Sequence, residues 1–355
     1  MPTPFASVLM DTYNHERFIE KAIMSVLEQD FAASDREILI VDDGSRDGTP
    51  EIMRKFTPQV RILRKANGGQ ASAFNAGIAE CRGQIVAFLD GDDWWAPGKL
   101  QAVSGALAAE ADVGLVGHGI TEVYADGREH SELLREVPRF RLNSDAGAKI
   151  FRRRKSFLGT SRMTFRREVL QRIGKVPEAL AIQADEYLFT FGAVFSDVLI
   201  LREALTFYRL HDANAFQMTN GNTESLRRKY QVLAALAGAL RGKFEETNVP
   251  ASTAGMVVDA VQTESDLIRL TLENGWPLET LRAELRNFEM EQEHAPVHRW
   301  LFKCLTLLPA CVLPSQTYYA LRRTISDSSL YRKGRERWLP FAEPAHVDRH
   351  RTTRP

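Results

Sequence analysis

Residues 84–95 read Gln-Ile-Val-Ala-Phe-Leu-Asp-Gly-Asp-Asp-Trp-Trp. A short apolar run ends abruptly in Asp90, Asp92 and Asp93, with Gly91 between the first two. A strand that buries Ile85, Val86, Phe88 and Leu89 delivers three carboxylates together at its carboxyl end. Clustered hard oxygen ligands suit a divalent cation such as Mn²⁺ or Mg²⁺, above all one shared with substrate phosphates. Asp and Gly are also ordinary turn residues, so this segment alone leaves a metal site and an acidic turn both open. The elements around it decide.

The first 120 residues alternate between two hydrophobic periods. Apolar runs at residues 5–10, 37–41, 60–63, 85–89 and 113–117 predict strands. Residues 16–28, 49–56, 69–81 and 97–109 predict helices; in the first of these Phe18, Ile19, Ala22, Ile23, Val26 and Leu27 recur at helical spacing. Pro50 suits a first helical turn. Apolar strands alternating with helices predict a mostly parallel sheet covered on both faces. In such sheets ligands sit beyond the carboxyl ends of the strands. The polar residues gather there: Thr12-Tyr13-Asn14 after the first strand, Asp42-Asp43 after the second, and Asp90, Asp92 and Asp93 after the fourth. This concentration favours a site over scattered solvated loops.

Composition narrows the class. The chain has 355 residues, 44% apolar and 26% charged, with 46 basic and 46 acidic side chains. These values are ordinary for a soluble globular protein, and the balanced charge offers nothing to nucleic acid. Three cysteines (Cys81, Cys304, Cys311) without metal-like spacing predict no disulfide framework, as in a reducing compartment. The N-terminus lacks a basic region followed by an apolar core, so no secretory signal is expected. No window approaches the ~18 apolar residues of a membrane span. A cytoplasmic protein is the expectation.

Residues 121–124 and 128–131 flank Ala125-Asp126-Gly127 and predict a hairpin. Residues 143–151 read as helical, 162–165 as extended, and 168–173 as a helix ended by Gly174. Residues 182–195 read as a helix with Asp185 and Glu186 in its first turn, followed by strands at 198–201 and 204–210. From residue 221 only helices are expected, at 224–241, 252–273 and 278–290, with Gly275-Trp276-Pro277 as a break. Residues 298–337 combine an apolar run (Trp300, Leu301, Phe302, Leu305, Leu307, Leu308) with eight Lys/Arg against two acids. Such a stretch can lie on an anionic bilayer, making the protein peripheral at the inner face of the membrane, or can pack on the main domain with a solvated basic face. Pro309 and Pro314 interrupt any long helix there. The expected organisation is a domain over 1–220, a helical extension over 221–342 that contacts a membrane surface or another subunit, and a disordered tail over 343–355.

Four segments stand in order: Ser7-Val-Leu-Met-Asp-Thr-Tyr-Asn14, Ile40-Val-Asp-Asp-Gly-Ser-Arg-Asp-Gly-Thr49, Asn67-Gly-Gly-Gln-Ala-Ser-Ala-Phe-Asn-Ala-Gly77 and Phe88-Leu-Asp-Gly-Asp-Asp-Trp94. Together they resemble the family 2 glycosyltransferases, inverting enzymes with the GT-A fold, a Rossmann-like sheet with flanking helices. The resemblance covers roughly residues 5–215. It implies a nucleotide-diphosphate sugar as donor and a divalent cation, Mn²⁺ or Mg²⁺, as cofactor. Asp42 then matches the carboxylate that accepts a hydrogen bond from the nucleobase, usually uracil; a carboxylate is an acceptor only and suits a ring N–H. Thr12 and Asn14 match the loop lining that pocket. Asp90-Gly91-Asp92 matches the DxD motif, with Asp90 near the ribose or metal, Asp92 as metal ligand and Asp93 in support. Gly68, Gly69 and Asn75 match the loop and helix flanking the donor.

Displacing a sugar from a diphosphate needs charge neutralisation on the leaving group and a base for the acceptor hydroxyl. The resemblance assigns the base to Asp185, with Glu186 as fallback; Ala184 stands where the family usually has a first acid. Read without it, Asp185 and Glu186 simply favour a helix N-terminus. His211 matches a histidine that helps hold the metal or diphosphate, against the alternative of a structural histidine, and Arg209 is a further candidate for phosphate. Thr160 and Ser161 match the acceptor floor, and Trp94 is a candidate for stacking on a sugar. Arg162 replaces a usual small residue, and Asp11 a usual proline. The expected activity is metal-assisted, inverting transfer from a nucleotide sugar, UDP-linked, to a hydroxyl of a glycan or lipid-linked acceptor. The alternative is a catalytically silent nucleotide-sugar binding protein.

Overall fold

A computed structural model of the chain describes residues 5–132, 134, 138–211, 223–291 and 297–327. The first elements alternate: β1 (Ala6–Thr12), α1 (Ile19–Leu27), β2 (Arg36–Asp42), α2 (Thr49–Arg54), β3 (Arg61–Arg64), α3 (Gly69–Glu80) and β4 (Ile85–Asp90). Then come β5 (Trp94–Trp95), α4 (Lys99–Ala109), β6 (Val113–Val123), β7 (Glu129–Ser131), β8 (Arg139–Phe140), α5 (Asp145–Arg154), β9 (Thr164–Arg166), α6 (Arg167–Ile173), α7 (Ala184–Phe195) and β10 (Asp197–Arg209). The remainder is helical: α8 (Thr223–Glu245), α9 (Ala251–Leu272), α10 (Pro277–Glu291), α11 (Val297–Leu307) and α12 (Ser315–Asp327).

The sheet runs β3-β2-β1-β4-β9-β6-β10-β5. The left half is parallel throughout, as the uninterrupted apolar strands require. One face of these strands (Val8, Met10, Ile38, Ile40, Ala87, Leu89) buries Ile19, Ala22, Ile23 and Val26 of α1. Those four recur along one stripe of the helix, so a single face meets the sheet. On α3, Gly77 is held so close to Leu9 and Val41 that an added Cβ would fall 2.2 Å from the Leu9 Cδ1.

Three elements depart from the sequence expectations. Residues 113–117 and 121–124 belong to one strand, β6, whose end pairs with β7 in the expected hairpin, Gly127 taking a φ of 83° in the turn. The two strands expected at 198–201 and 204–210 are likewise one, β10; the polar pair Arg202-Glu203 marks a register irregularity against β6 rather than a break. The extended segment near 162–165 is β9, inserted antiparallel to both neighbours, β4 and β6. It makes the sheet mixed, and it lays the preceding 3-10 turn, Thr160–Arg162, beside the end of β4.

The chain divides into two compact units: residues up to 218 with 235–258, and 219–234 with 259 onward. In the second unit α11 stops at Leu307, a 3-10 turn (Leu308–Cys311) carries Pro309, and α12 starts directly after Pro314. Among the described residues no helix is long and apolar enough to cross a membrane. The tail expected to be disordered, 343–355, lies outside the described residues.

Phe88 is fully buried on β4, edge-on to Phe74 (5.2 Å) and Phe165 (5.8 Å), and so joins α3 and β9 to the strand that carries Asp90. Phe88→Ala is expected to lower unfolding stability by about 3–5 kcal/mol, read as a lower urea midpoint at unchanged slope.

Candidate active site

Register builds the site. β1 pairs Thr12 with Asp42 of β2 and Asp11 with Asp90 of β4, so Asp11, Asp42 and Asp90 stand in one row, with Asp43, Asp92 and Asp93 in the segments that follow the strands. Beyond that row the chain turns, with the Gly91 amide donating to the Asp11 carbonyl (2.9 Å). A Cβ at Gly91 would lie 2.6 Å from the Thr12 Oγ1 and 2.8 Å from the His15 Nδ1. Glycine is therefore required for the Thr12–His15 contact (3.2 Å) to sit against the turn. Asp92 points its Oδ2 at His211 Nε2 (3.0 Å), with His15 Nε2 3.8 Å away.

Oxygens of Asp90, Asp92 and Asp93 can be chosen within 4.8 Å of one another. Asp93, however, is fully engaged with protein: Ser161 Oγ donates to its Oδ2 (2.6 Å) and the Arg209 amide to its Oδ1 (3.0 Å). The donor set that fits a cation is thus Asp90 and Asp92, with His211 at hand, two hard oxygens and an imidazole as Mn²⁺ or Mg²⁺ would accept. Asp11 adds a buried carboxyl oxygen with no hydrogen-bond partner.

Electrostatics set these groups apart. Burial, with the nearby charge of Asp92, raises the Asp11 carboxyl to about 7, although a hydrogen bond from Asp90 opposes the shift. Asp90 is raised well above the usual range by burial and by Asp11 and Asp92, and Asp93 by burial and Asp92. Burial pushes Asp92 up as well, but the His211 hydrogen bond and the charges of His15 and His211 overcome it and leave that carboxyl lowered. His15 is lowered by burial. Carboxyls this close cannot all ionise without a cation among them.

On the β2 side, Asp42 is fully buried and its Oδ1 accepts the Ser45 amide (2.8 Å). Its Oδ2 has no hydrogen bond, though Arg64 Nε lies 3.3 Å away. Asn14 takes a left-handed φ of 57° and clips this loop, its amide donating to Ser45 Oγ and its Oδ1 accepting the Arg46 amide. Asp43 organises the next loop, accepting from Lys65 Nζ (2.6 Å) and the Gly69 amide (2.7 Å). Gly69, with φ 79°, lies where a Cβ would meet Ala181 Cα at 2.6 Å. Its small size therefore serves the approach of the 181 segment. Asn75, expected beside the donor, is likewise a brace: its amide donates to the Val176 carbonyl and accepts the Val176 amide, both at 2.8 Å.

Opposite this row, α7 opens at Gln183, held at a φ of 63°. Asp185 in its first turn accepts from the Thr160 amide (3.3 Å) and Thr160 Oγ1 (3.2 Å) at Oδ2, and from the Glu186 amide at Oδ1 (2.8 Å). Burial and the adjacent Glu186 raise its carboxyl, and its charge in turn raises Asp90 and Asp11. Gln70 spans this corner: Nε2 donates to Thr160 Oγ1 (3.2 Å), and Oε1 accepts the Ala184 amide (2.9 Å). Glu186, the fallback base, is buried against Lys155 (3.0 Å).

Two acceptor-side expectations are redirected. Ser161 is a hub: its Oγ also accepts the Asp90 amide (3.1 Å), and its carbonyl accepts Trp95 Nε1, the buried Lys99 Nζ and Thr206 Oγ1. Trp94 is buried, stacked on Phe207 at 5.1 Å and 6°, with Lys21 Nζ 3.4 Å and Arg209 Cζ 4.6 Å from its ring centroid. It is a packed ring rather than an open platform for a sugar. Arg162 forms a two-pronged pair with Glu132 (2.9 and 3.2 Å). Sequence reasoning placed Asp43 at the strand ends without a role, and missed His15 and Gln70. Of the two missed residues only Gln70 lies inside the four motif segments, and it carries no spacing signal.

Residues 7–174 match the model of glycosyl transferase family 2. An uncharacterized glycosyltransferase of Nostoc is 33% identical over 232 residues, covering 63% of this chain and 70% of the relative. Among solved structures, Staphylococcus aureus TarS 1–349 in complex with UDP-GlcNAc superposes with a TM-score of 0.59 at 20% identity, covering 93% of this chain and 92% of that one. The mannosyltransferase PcManGT of Pyrobaculum calidifontis, in complex with GDP-Man and Mn²⁺, gives 0.53 at 16% identity, covering 95% and 85%. The mixed sheet with flanking helices is the GT-A fold, and the chain belongs to glycosyl transferase family 2.

Proposed function

We propose that this glycosyltransferase moves a sugar from a nucleotide-diphosphate sugar, UDP-linked in our reading, to a hydroxyl of a glycan or lipid-linked acceptor, with inversion at the anomeric carbon. The observation that carries the reading is the placement of Asp185. It is a carboxyl raised by burial, oriented by Thr160, and near enough to Asp90 and Asp11 for its charge to act on theirs. A base so placed faces the row that suits a diphosphate.

In the proposed step Asp185 accepts the proton of the acceptor hydroxyl. That oxygen bonds to the anomeric carbon from the side opposite the diphosphate, the carbon–oxygen bond to phosphate breaks, and its electron pair leaves with the nucleoside diphosphate. Asp90 and Asp92, with His211, would hold the Mn²⁺ or Mg²⁺. Bound there, the cation supplies Lewis-acid neutralisation of the charge on the leaving group. The unbonded, buried Asp42 Oδ2 supports an acceptor role toward a nucleobase N–H, and the neighbours that hold UDP-GlcNAc and GDP-Man support a nucleotide-diphosphate sugar as donor. Thr12 and Asn14 shape the same pocket through the loop they hold. Gln70 positions Asp185 through Thr160 and the first amide of α7.

Asp185→Asn keeps the shape but cannot take the proton, so transfer is expected to fall about 10²–10⁴-fold with donor binding by calorimetry unchanged; full activity would sink the assignment. Because burial raises the carboxyl, its basic form is lost on acidification at a pH above its ordinary value of 3.8. The wild-type rate is therefore expected to fall along an acid limb that begins above the usual carboxylate range and is missing from Asp185→Asn. Asp92→Ala is expected to abolish the response of transfer to added Mn²⁺, measured against chelator-treated enzyme. Gln70→Ala removes two hydrogen bonds, each of about 0.5–1.5 kcal/mol, and is expected to lower kcat roughly tenfold and to shift the acid limb; a change confined to donor KM would refute a positioning role.

A further inference from the structure

At the end of α7 remote from Asp185, the first unit surrounds a cleft of about 560 Å³ whose lining includes Arg141, Arg166, Arg172, Gly114, Phe195 and Ser196. α7 has 12 residues, so roughly 18 Å of helix separates this cleft from the proposed base. The walls meet tightly: a Cβ at Gly114 would fall 2.5 Å from the Ser196 Cβ and 2.6 Å from the Val169 Cγ2. Main-chain carbonyls hold the three guanidinium groups in place. Arg141 donates through Nε to Val194 (3.4 Å) and through Nη2 to Phe195 (3.3 Å). Arg172 Nη1 donates to the same Phe195 carbonyl (3.0 Å), its Cζ 4.8 Å from the Phe195 ring centroid. Arg166 donates to the carbonyls of Val113 (2.8 Å), Leu107 and Glu110.

These bonds orient the cations without neutralising them. A helix C-terminus carries a charge of about −0.5, whereas Arg141 and Arg172 bring two full charges to one carbonyl at the end of α7. Among the described residues, none of the three arginines is in an ion pair with a carboxylate. The acids nearby serve another residue: Glu110 and Asp197 pair with Arg139 at 2.9 and 2.8 Å. Asp112, 85% exposed, lies 3.8 Å from that same Arg139. Glu168 also borders the cleft, yet it pairs with none of the three. Hydrogen-bonding capacity is left over as well. Each guanidinium has five N–H donors, and the carbonyls accept from only one on Arg172 and two on Arg141. Planar forks fixed in this way suit the oxygens of a phosphate. The volume falls within the range of about 300–1,000 Å³ usual for small-molecule sites, which leaves room beside Phe195 for an organic group.

We infer that this cleft is a second ligand site, which takes a phosphorylated small molecule with its phosphate between Arg141 and Arg172. The inference does not depend on the transfer reading, because its test uses neither donor nor acceptor. Inorganic phosphate and phenyl phosphate are titrated calorimetrically into the full-length protein, with chelator present and chloride holding the ionic strength constant. Saturable binding of both is expected, tighter for phenyl phosphate, whose ring can lie on Phe195. Arg141→Gln and Arg172→Gln are each expected to weaken it about tenfold or more. Arg172 is exposed and makes a single hydrogen bond, so Arg172→Gln keeps the test available should Arg141→Gln fail to fold. Absence of saturable binding would overturn the inference. So would unchanged affinity in Arg172→Gln, which would put the ion elsewhere, or weaker binding of phenyl phosphate than of inorganic phosphate.

Discussion

Four carboxyl groups, those of Asp11, Asp90, Asp92 and Asp93, are held largely out of water at the ends of β1 and β4, where their repulsion conditions everything built around them. The row follows from parallel register, since residues at the ends of neighbouring strands must lie side by side. A cluster of this kind is unstable by itself. Each neighbouring group answers part of it: Ser161 and the Arg209 amide on Asp93, His211 and His15 on Asp92, and a shared hydrogen bond between Asp11 and Asp90.

That requirement explains the less regular half of the sheet. β9 enters antiparallel between β4 and β6 and brings the turn Thr160–Arg162 against the acidic row. Through adjacent residues, this turn braces the row by Ser161 and orients Asp185 by Thr160. β10 ends there too, delivering Arg209 and His211. The side proposed to carry charge and the side proposed to take the proton are therefore joined by one short turn. A disturbance at Ser161 would reach both.

The strand ends were legible in the sequence because a buried apolar run can stop in acids only where the chain leaves the core. The parallel half of the sheet followed from uniform hydrophobicity. Asp185 was legible only through its resemblance to a family motif; a carboxylate in a first helical turn carries no signal of its own. Long-range pairing was not legible. Nothing in Thr164–Arg166 announces an antiparallel insertion, and Arg202-Glu203 reads as a break although β10 continues through it. Ser161, Asn75 and Trp94 were of the right types for a binding surface, but partners distant in sequence engage them: Asp93 and Lys99, Val176, and Phe207. His15 and Gln70 could be found only once the fold had brought Asp92 and Thr160 to them.

The central claim is that the carboxylate row is built to be completed by a divalent cation. The folded-state carboxyls of Asp11, Asp90 and Asp93 lie above their ordinary value of 3.8, that of Asp11 at about 7. The folded protein therefore holds their protons more tightly than the unfolded chain does. Their contribution to stability is complete below the ordinary carboxylate range and is lost as pH rises through the folded values. Thermal unfolding of chelator-treated protein across pH 4 to 8, repeated with Mn²⁺, tests this directly. The account predicts that Tm without metal declines over that range and that Mn²⁺ restores it increasingly toward pH 8. A Tm indifferent to Mn²⁺ at pH 8 would contradict it.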